Sequence, residues 1–276
     1  MSERTSTPQT AGTTTTSLTT SSGDRVVLDH YGRIGTPGVL FIAGAGPTRA
    51  GDPITSQTAK LVAERGYQAS VHDRVGRGDS ATTGPVSLER ELQAIAAVAD
   101  HMEGPVVLVG HSSGCAIAME AASHVDRLAG LVLWEAPIGQ FTEGAPAWWR
   151  TIERHIEDGR LEEAVASYMV DMPPEWLEGL KQSPEYPHLI HSWIPDGKAL
   201  ANVETAGLGV TLREVSAPVL AVVGTETFPG MKETADRIAA AARDGTSEEV
   251  AGAWHSWDPA AMAGRLAAFL EEATAR

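Results

Sequence analysis

Cysteine is nearly absent from these 276 residues. Cys115 stands alone, which excludes an intramolecular disulfide framework and any zinc site built on several thiolates. Long apolar runs are missing as well. No stretch approaches the roughly 18 consecutive apolar residues of a spanning helix, and the N-terminal region lacks the basic-then-apolar layout of a secretory signal. Cationic charge is scarce: 21 Lys and Arg stand against 36 Asp and Glu, a formal net charge of −15. A field of that sign repels nucleic acid and anionic lipid. No His, Asp or Glu grouping has metal-ligand spacing. These shortages lead to the expectation of a soluble, cytoplasmic protein whose partner is a small molecule rather than nucleic acid or membrane.

What is present is ample material for a core, with 42% apolar residues. Residues 1–23 are dominated by Ser, Thr and Gly around a single Leu18, and such a segment buries too little to offset its ordering entropy. Most of it is therefore expected to be a disordered tail, with a first strand beginning near Leu18–Thr20. From residue 25 onward short β-rich runs alternate with longer helical patterns. The runs at 39–43, 106–110, 131–135 and 219–223 are nearly continuous apolar stretches, as strands covered on both faces require; further runs lie at 26–30, 68–72 and 248–251. Helical patterns fill 54–65, 87–103, 114–124, 230–243 and 259–272. Ser87 is placed to cap one of them, and Asp258 followed by Pro259 opens another. This alternation predicts an α/β fold with a mostly parallel central sheet and helices on both faces.

The rhythm breaks once. Residues 138–215 contain no convincing strand, only helical pieces near 146–158, 161–170, 173–181 and 197–206. The expected organisation is thus a body formed by 24–137 and 216–276, with 138–215 inserted as a helical cap. In open α/β sheets ligands bind beyond the carboxyl ends of the strands, where such a cap would cover them.

Gly110-His111-Ser112-Ser113-Gly114 fits G-x-S-x-G, and its context strengthens the match. It follows the apolar strand 105–109 and leads into the helix-forming Cys115–Ala122. A strand–turn–helix of this kind holds a serine on a strained bend with its Oγ exposed, and the flanking glycines are needed because neighbouring backbones approach too closely for a Cβ. Ser112 is the expected nucleophile. Ser113 is expected to direct its backbone N–H at the oxyanion.

At these residues the chain resembles the α/β-hydrolase superfamily, across nearly all of 25–272. The likeness is to small actinobacterial-type hydrolases bearing GHSSG and a following strand that ends in Glu-x-Pro. Phe41-Ile-Ala-Gly44-Ala45-Gly46 sits where that family carries its oxyanion loop, with Ala43 in place of the usual His. Asp73-Arg-Val-Gly-Arg-Gly-Asp-Ser80 looks like the family's D-x-x-G-x-G-x-S turn. The resemblance implies an oxyanion hole from the backbone N–H groups of Ala45 and Ser113. A dinucleotide loop at Gly44–Gly46 is disfavoured by Arg49 and Pro47, and no cofactor is expected.

A serine hydroxyl needs a base. His255, between the last weak strand and the last helix, is the choice among nine histidines, since the family orders its triad Ser, acid, His. His111 flanks the nucleophile and is read as structural or pocket-lining. For the acid, many family members carry Asp where this chain has Thr227, which cannot serve. Glu135 is preferred: it ends the apolar strand after the nucleophile helix, where a carboxylate is costly unless exposed, paired or functional. It resembles the Glu of haloalkane dehalogenases and certain lactonases. Glu226 is the second choice, ahead of Asp258.

Six of seven tryptophans lie between 148 and 257. Trp148, Trp149, Trp176, Trp193 and Trp254, with His111, are read as a candidate substrate pocket, against the plainer alternative that the cap tryptophans form its own small core. The expected function is a cofactor-independent serine hydrolase of a carboxylic ester or lactone, with a hydrophobic or aromatic substrate. The alternatives are C–C bond hydrolysis or perhydrolysis on the same triad, or a ligand receptor of hydrolase ancestry without turnover.

Overall fold

Apolar runs buried at every position along the central strands generate a mixed, largely parallel sheet with two covered faces, described in a computed structural model over residues 12–275. Its strands are β1 (Thr13–Thr19), β2 (Arg25–Tyr31), β3 (Gly38–Ile42), β4 (Gln68–His72), β5 (Val106–His111), β6 (Leu128–Trp134), β7 (Val219–Glu226), β8 (Gly245–Ala253) and β9 (Ser256–Trp257). They lie in the order β1-β2-β4-β3-β5-β6-β7-β8-β9. Pairs from β4 through β3 to β8 are parallel, while β1–β2, β2–β4 and β8–β9 are antiparallel.

Alternate residues of β3, β5 and β7 supply opposite cores. Leu40, Ile42, Val106, Leu108, Ala221 and Val223 pack on one face with α2 (Leu88–Met102), α3 (Gly114–Ala121) and α9 (Met231–Ala241). Val39, Phe41, Val107, Val109, Leu220 and Val222 pack on the other with α1 (Pro53–Glu64) and α10 (Pro259–Thr274). Side-chain caps fix the helix starts: Asp52 accepts from Thr55 N, Ser87 from Arg90 N and Asp258 from Ala261 N.

Between β6 and β7 the chain forms only helices: α4 (Ala145–Glu157), α5 (Leu161–Tyr168), α6 (Pro174–Leu180), α7 (Ile190–Ala206) and the short α8 (Leu208–Thr211). This inserted region has its own core of Trp149, Ile152, Val165, Tyr168, Ile190 and Trp193. Helix α7 starts seven residues earlier than the pattern suggests, because it runs through Pro195. Pro195 lacks the N–H that would bond the His191 carbonyl. That carbonyl instead accepts from Val86 N of the body, at 3.0 Å. The break in the helix thereby becomes an attachment point.

One turn further along, Asp196 is fully buried and accepts from Arg74 Nη1 (2.7 Å) and Arg77 Nη2 (2.8 Å). Arg74 Nε also donates to Glu91 at 2.8 Å. Arg74 and Arg77 lie on the turn after β4, which Asp73 shapes by accepting from Arg49 N and Asp79 N. Two arginines and two carboxylates thus balance inside the protein, as buried charge demands.

The N-terminal expectation needs correction. Residues 13–19 are not a disordered tail but an edge strand, paired with β2 along its whole length. Threonine is β-branched and suits a half-exposed pleated edge, and the backbone ladder plus the packing of Leu18 on the core supply what side-chain hydrophobicity does not. The part of that expectation covering residues 1–11 lies outside the described residues. Deleting residues 1–19 is therefore expected to lower Tm by about 5 °C or more, as measured by circular dichroism. An unchanged Tm would show that β1 contributes nothing to stability.

Candidate active site

The carboxyl ends of β3, β5, β6 and β7 converge with the β8–β9 turn beside the inserted helices, and the sequence-predicted groups lie along that edge. Ser112 follows β5 with φ +56°, a left-handed conformation that costs energy for any residue other than glycine. The flanking glycines make the bend possible. A Cβ on Gly110 would stand 2.8 Å from Cys115 N, and one on Gly114 would stand 2.3 Å from Ile42 O. Ser112 N donates to Trp134 O at 2.9 Å, fastening the bend to the end of β6. Cys115 is buried behind it with Sγ donating to the carbonyls of Gly110 and Trp134, and burial pushes its thiol pKa up, so it is an inert packing residue.

Glu135 is the next residue after β6 and is also left-handed, at φ +46°. Its side chain is buried, with Oε2 at 2.6 Å from His255 Nδ1 and Oε1 accepting from Gly224 N at 3.0 Å. Burial works to raise the pKa of this carboxyl. The hydrogen bonds from His255 and the Gly224 amide outweigh it and hold the group ionised below the usual carboxylate range. Glu226 ends β7 exposed to solvent, and its backbone carbonyl accepts from Trp254 N. Asp258 is engaged as the cap of α10.

His255 belongs to a two-residue hairpin turn. Gly252 pairs with Trp257 and Ala253 with Ser256, leaving Trp254 (φ +51°) and His255 (φ +73°) as the two central positions. Two positive φ angles in succession define a type I′ turn, which asparagine and glycine normally occupy. The turn is held from below. The His255 carbonyl accepts from His111 Nε2 at 2.8 Å and from Trp134 Nε1 at 3.3 Å. The His111 ring meets His255 and Trp257 edge-on at 4.7 and 5.4 Å between centroids.

Glu135 and His255 are therefore joined directly. Ser112 is tied to the same assembly through the backbone and through His111, and among the described residues its Oγ has no hydrogen bond to the imidazole. In the candidate oxyanion region, Ser113 N–H has no acceptor among the described residues. Ala45 N–H donates to Ser113 Oγ at 3.1 Å, and Ser113 Oγ donates in turn to Asp196 at 2.8 Å. Arg74 Nη1 and Arg77 Nη1 hold the same loop by donating to the carbonyls of Ala43 and Gly44.

Of the expected pocket residues, Trp149 and Trp193 fill the cap's own core, and Trp148 stacks on Phe141 at 4.4 Å while packing against that core. Trp176 lies partly exposed on α6. Indoles in a small helical insertion give it an interior, and Trp149 and Trp193 are buried there. His111 meets the His255 ring at 4.7 Å, and Trp254 precedes His255 in the turn with its indole 6.3 Å from the Phe228 ring. Sequence reasoning missed Trp134, Trp257, Gly224 and Phe228. The signal available for Trp134 and Trp257 was their spacing of one residue from Glu135 and two from His255. Among the described residues there is no group of three or more side chains able to hold a metal ion and no helix able to cross a membrane.

A parallel sheet covered on both faces, with a serine bend and a Glu–His pair at its carboxyl edge, defines an α/β enzyme fold of hydrolytic type. An alpha/beta hydrolase from Sphaerobacter thermophilus superposes with a TM-score of 0.69 at 24% identity, covering 92% of this chain and 99% of that one. A thermophilic esterase from Thermogutta terrifontis superposes with a TM-score of 0.57 at 22% identity, covering 94% and 97%. In sequence, the lipase LipV of Mycobacterium tuberculosis is 41% identical over 68 residues, or 24% of this chain and 26% of the lipase, so the chain spans about a quarter of the length of that curated relative. The profile of the alpha/beta hydrolase family matches residues 39–269. The chain belongs to the alpha/beta hydrolase family.

The buried histidines set an acid limit on this site. Burial holds His111 neutral down to about 4, and His72, in β4, likewise. An unfolded imidazole protonates near 6.5, so between those values the unfolded chain binds more protons. The stability these two groups supply is complete above pH 6.5 and is lost as pH falls toward 4. Thermal unfolding is expected to show a falling Tm across that interval, with a shallower fall in His72→Gln; equal slopes would exclude His72 as a contributor.

Proposed function

We propose that the protein is a cofactor-independent serine hydrolase that cleaves a carboxylic ester or lactone through an acyl-enzyme. The observation that carries this reading is the 2.6 Å bond between buried Glu135 and His255, at the sheet edge where the residue preceding Ser112 donates to the His255 carbonyl. Glu135 occupies Nδ1, which leaves Nε2 as the nitrogen available to Ser112 and fixes the tautomer that can accept its proton. Ser112 Oγ attacks the carbonyl carbon while His255 Nε2 takes the hydroxyl proton. The resulting oxyanion displaces the Ser113 hydroxyl as acceptor of Ala45 N–H and takes the Ser113 N–H as its second donor. His255 then passes the proton to the leaving alkoxide oxygen as the C–O bond breaks. Water enters, gives a proton to the same imidazole, and attacks the acyl carbon; the acid leaves and Ser112 regains its hydrogen.

Ser112→Ala is expected to remove turnover of p-nitrophenyl acetate, and labelling by a fluorophosphonate, while leaving Tm within a degree or two of the parent. No adduct on the folded parent would favour the receptor reading. Glu135→Gln is expected to lower kcat by about three to four orders of magnitude, whereas Glu226→Gln leaves it unchanged. The reverse pattern would move the acid to β7.

A further inference from the structure

We propose that Trp254 and Phe228 form the wall against which the leaving group rests, and that the alcohol released is planar and aromatic. This inference rests on the ester-hydrolase reading of Ser112 and His255. Trp254 occupies the first central position of the type I′ turn at φ +51°, where a bulky side chain is strained and asparagine or glycine is not. The indole recovers little by packing, since it is 71% exposed, the most exposed of the large apolar side chains described. A residue that strains the backbone and buries little does not serve the fold, and strain of this kind collects at sites of function.

Its surroundings say what it faces. The Phe228 ring lies 6.1 Å from the His255 ring and 6.3 Å from Trp254, the two aromatic planes meeting at 66°. Two rings at that angle make a corner that a flat ring enters with one face stacked and one edge in contact, the geometry aromatic groups prefer. The position relative to the chemistry selects the half of the ester. The general acid has to reach the leaving oxygen, so the group carried on that oxygen lies on the His255 side of Ser112. The carbonyl oxygen lies on the opposite side, toward Ala45 and Ser113. The corner beside His255 therefore meets the alcohol portion, not the acyl portion.

The test compares 2-naphthyl acetate with ethyl acetate, which share an acyl group, on the parent, Trp254→Asn and Trp254→Phe. With Trp254→Asn, KM for the naphthyl ester is expected to rise about three- to tenfold. Its kcat is expected to change less than its KM, and KM for ethyl acetate is expected to shift by a clearly smaller factor than KM for the naphthyl ester. Trp254→Phe restores most of the naphthyl KM. Trp254→Asn is also expected to raise Tm, because asparagine relaxes the turn. Parallel shifts for both esters, or none for either, would overturn the proposal. A second arm needs no turnover: 2-naphthol is titrated into Ser112→Ala and into Ser112→Ala/Trp254→Asn by isothermal calorimetry. Weaker binding in the double variant, by the same factor, supports the wall; equal binding overturns it. If no ester is hydrolysed by the parent, the hydrolase reading fails while this second arm still decides whether the aromatic corner binds a planar alcohol.

Discussion

The carbonyl of His255 is the point on which the site turns. A type I′ turn built from tryptophan and histidine has no intrinsic preference for itself, so something outside it must hold the left-handed backbone in place. His111 Nε2 and Trp134 Nε1 do so, both donating to that one oxygen. Each donor sits at the end of a parallel strand of the sheet centre, β5 and β6, in register with the other. The sheet centre thereby dictates where the hairpin stands, and the imidazole is placed by the sheet rather than by its own loop. The same economy recurs at Ser112 and Glu135. Apart from Glu103, which ends α2, the described non-glycine residues with positive φ are Ser112, Glu135, Trp254 and His255. Strain is concentrated where the candidate chemistry lies, and the half-buried His111 that relieves it is held neutral by desolvation down to about 4.

The inserted helices are bound to this assembly by charge rather than by apolar area alone. Asp196 touches Arg74, Arg77 and the Ser113 hydroxyl, and the two arginines reach on to the carbonyls of Ala43 and Gly44. Removing one member of such a set would leave an uncompensated buried charge, which costs far more than the set contributes when intact. Helix α7 consequently cannot lift from the body at Asp196 without disturbing the loop that carries Ala45. The Val86 bond to the carbonyl freed by Pro195 pins the same stretch of helix from the other side. These contacts join this stretch of the insertion to the body through Arg74, Arg77, Ser113 and Val86.

How much of this the sequence displayed depends on whether a feature leaves a one-dimensional trace. The central strands did, because burial on both faces forces continuous apolar runs such as 106–109 and 219–223. The bend at Ser112 did, because close backbone approach demands glycine at fixed offsets. The pairing of Glu135 with His255 was readable as a carboxylate at the end of an apolar strand, although nothing in the spacing chose it over Glu226; only the shared edge of the sheet does that. β1 left the wrong trace, since a run of threonines reads as polar linker until a partner strand is supplied. The early start of α7 was hidden by Pro195, whose cost is met by a tertiary hydrogen bond that no local pattern announces. The hairpin at 254–255 was hidden for the same reason, as its strain is relieved by two side chains more than a hundred residues away.

The identity of the carboxylate follows from the register of β6 against β7. Trp134 pairs with Val222, and Glu135 N donates to Val222 O, so the residue after β6 stands one strand inward from the end of β7. A carboxyl starting there has farther to reach toward the β8–β9 turn than one carried on β7 itself. Glutamate supplies the extra methylene. The left-handed φ of Glu135 turns the side chain across β7 instead of up into the cap, and Gly224 N–H receives one oxygen on the way while the other meets His255. Thr227, just past the end of β7 where family resemblance would put an acid, is polar and uncharged and adds no second negative charge beside Glu135. An aspartate at 135 would therefore lose the Gly224 bond or the His255 bond but could not keep both, and an aspartate at 227 would set a second negative charge against the first unless one of them took up a proton.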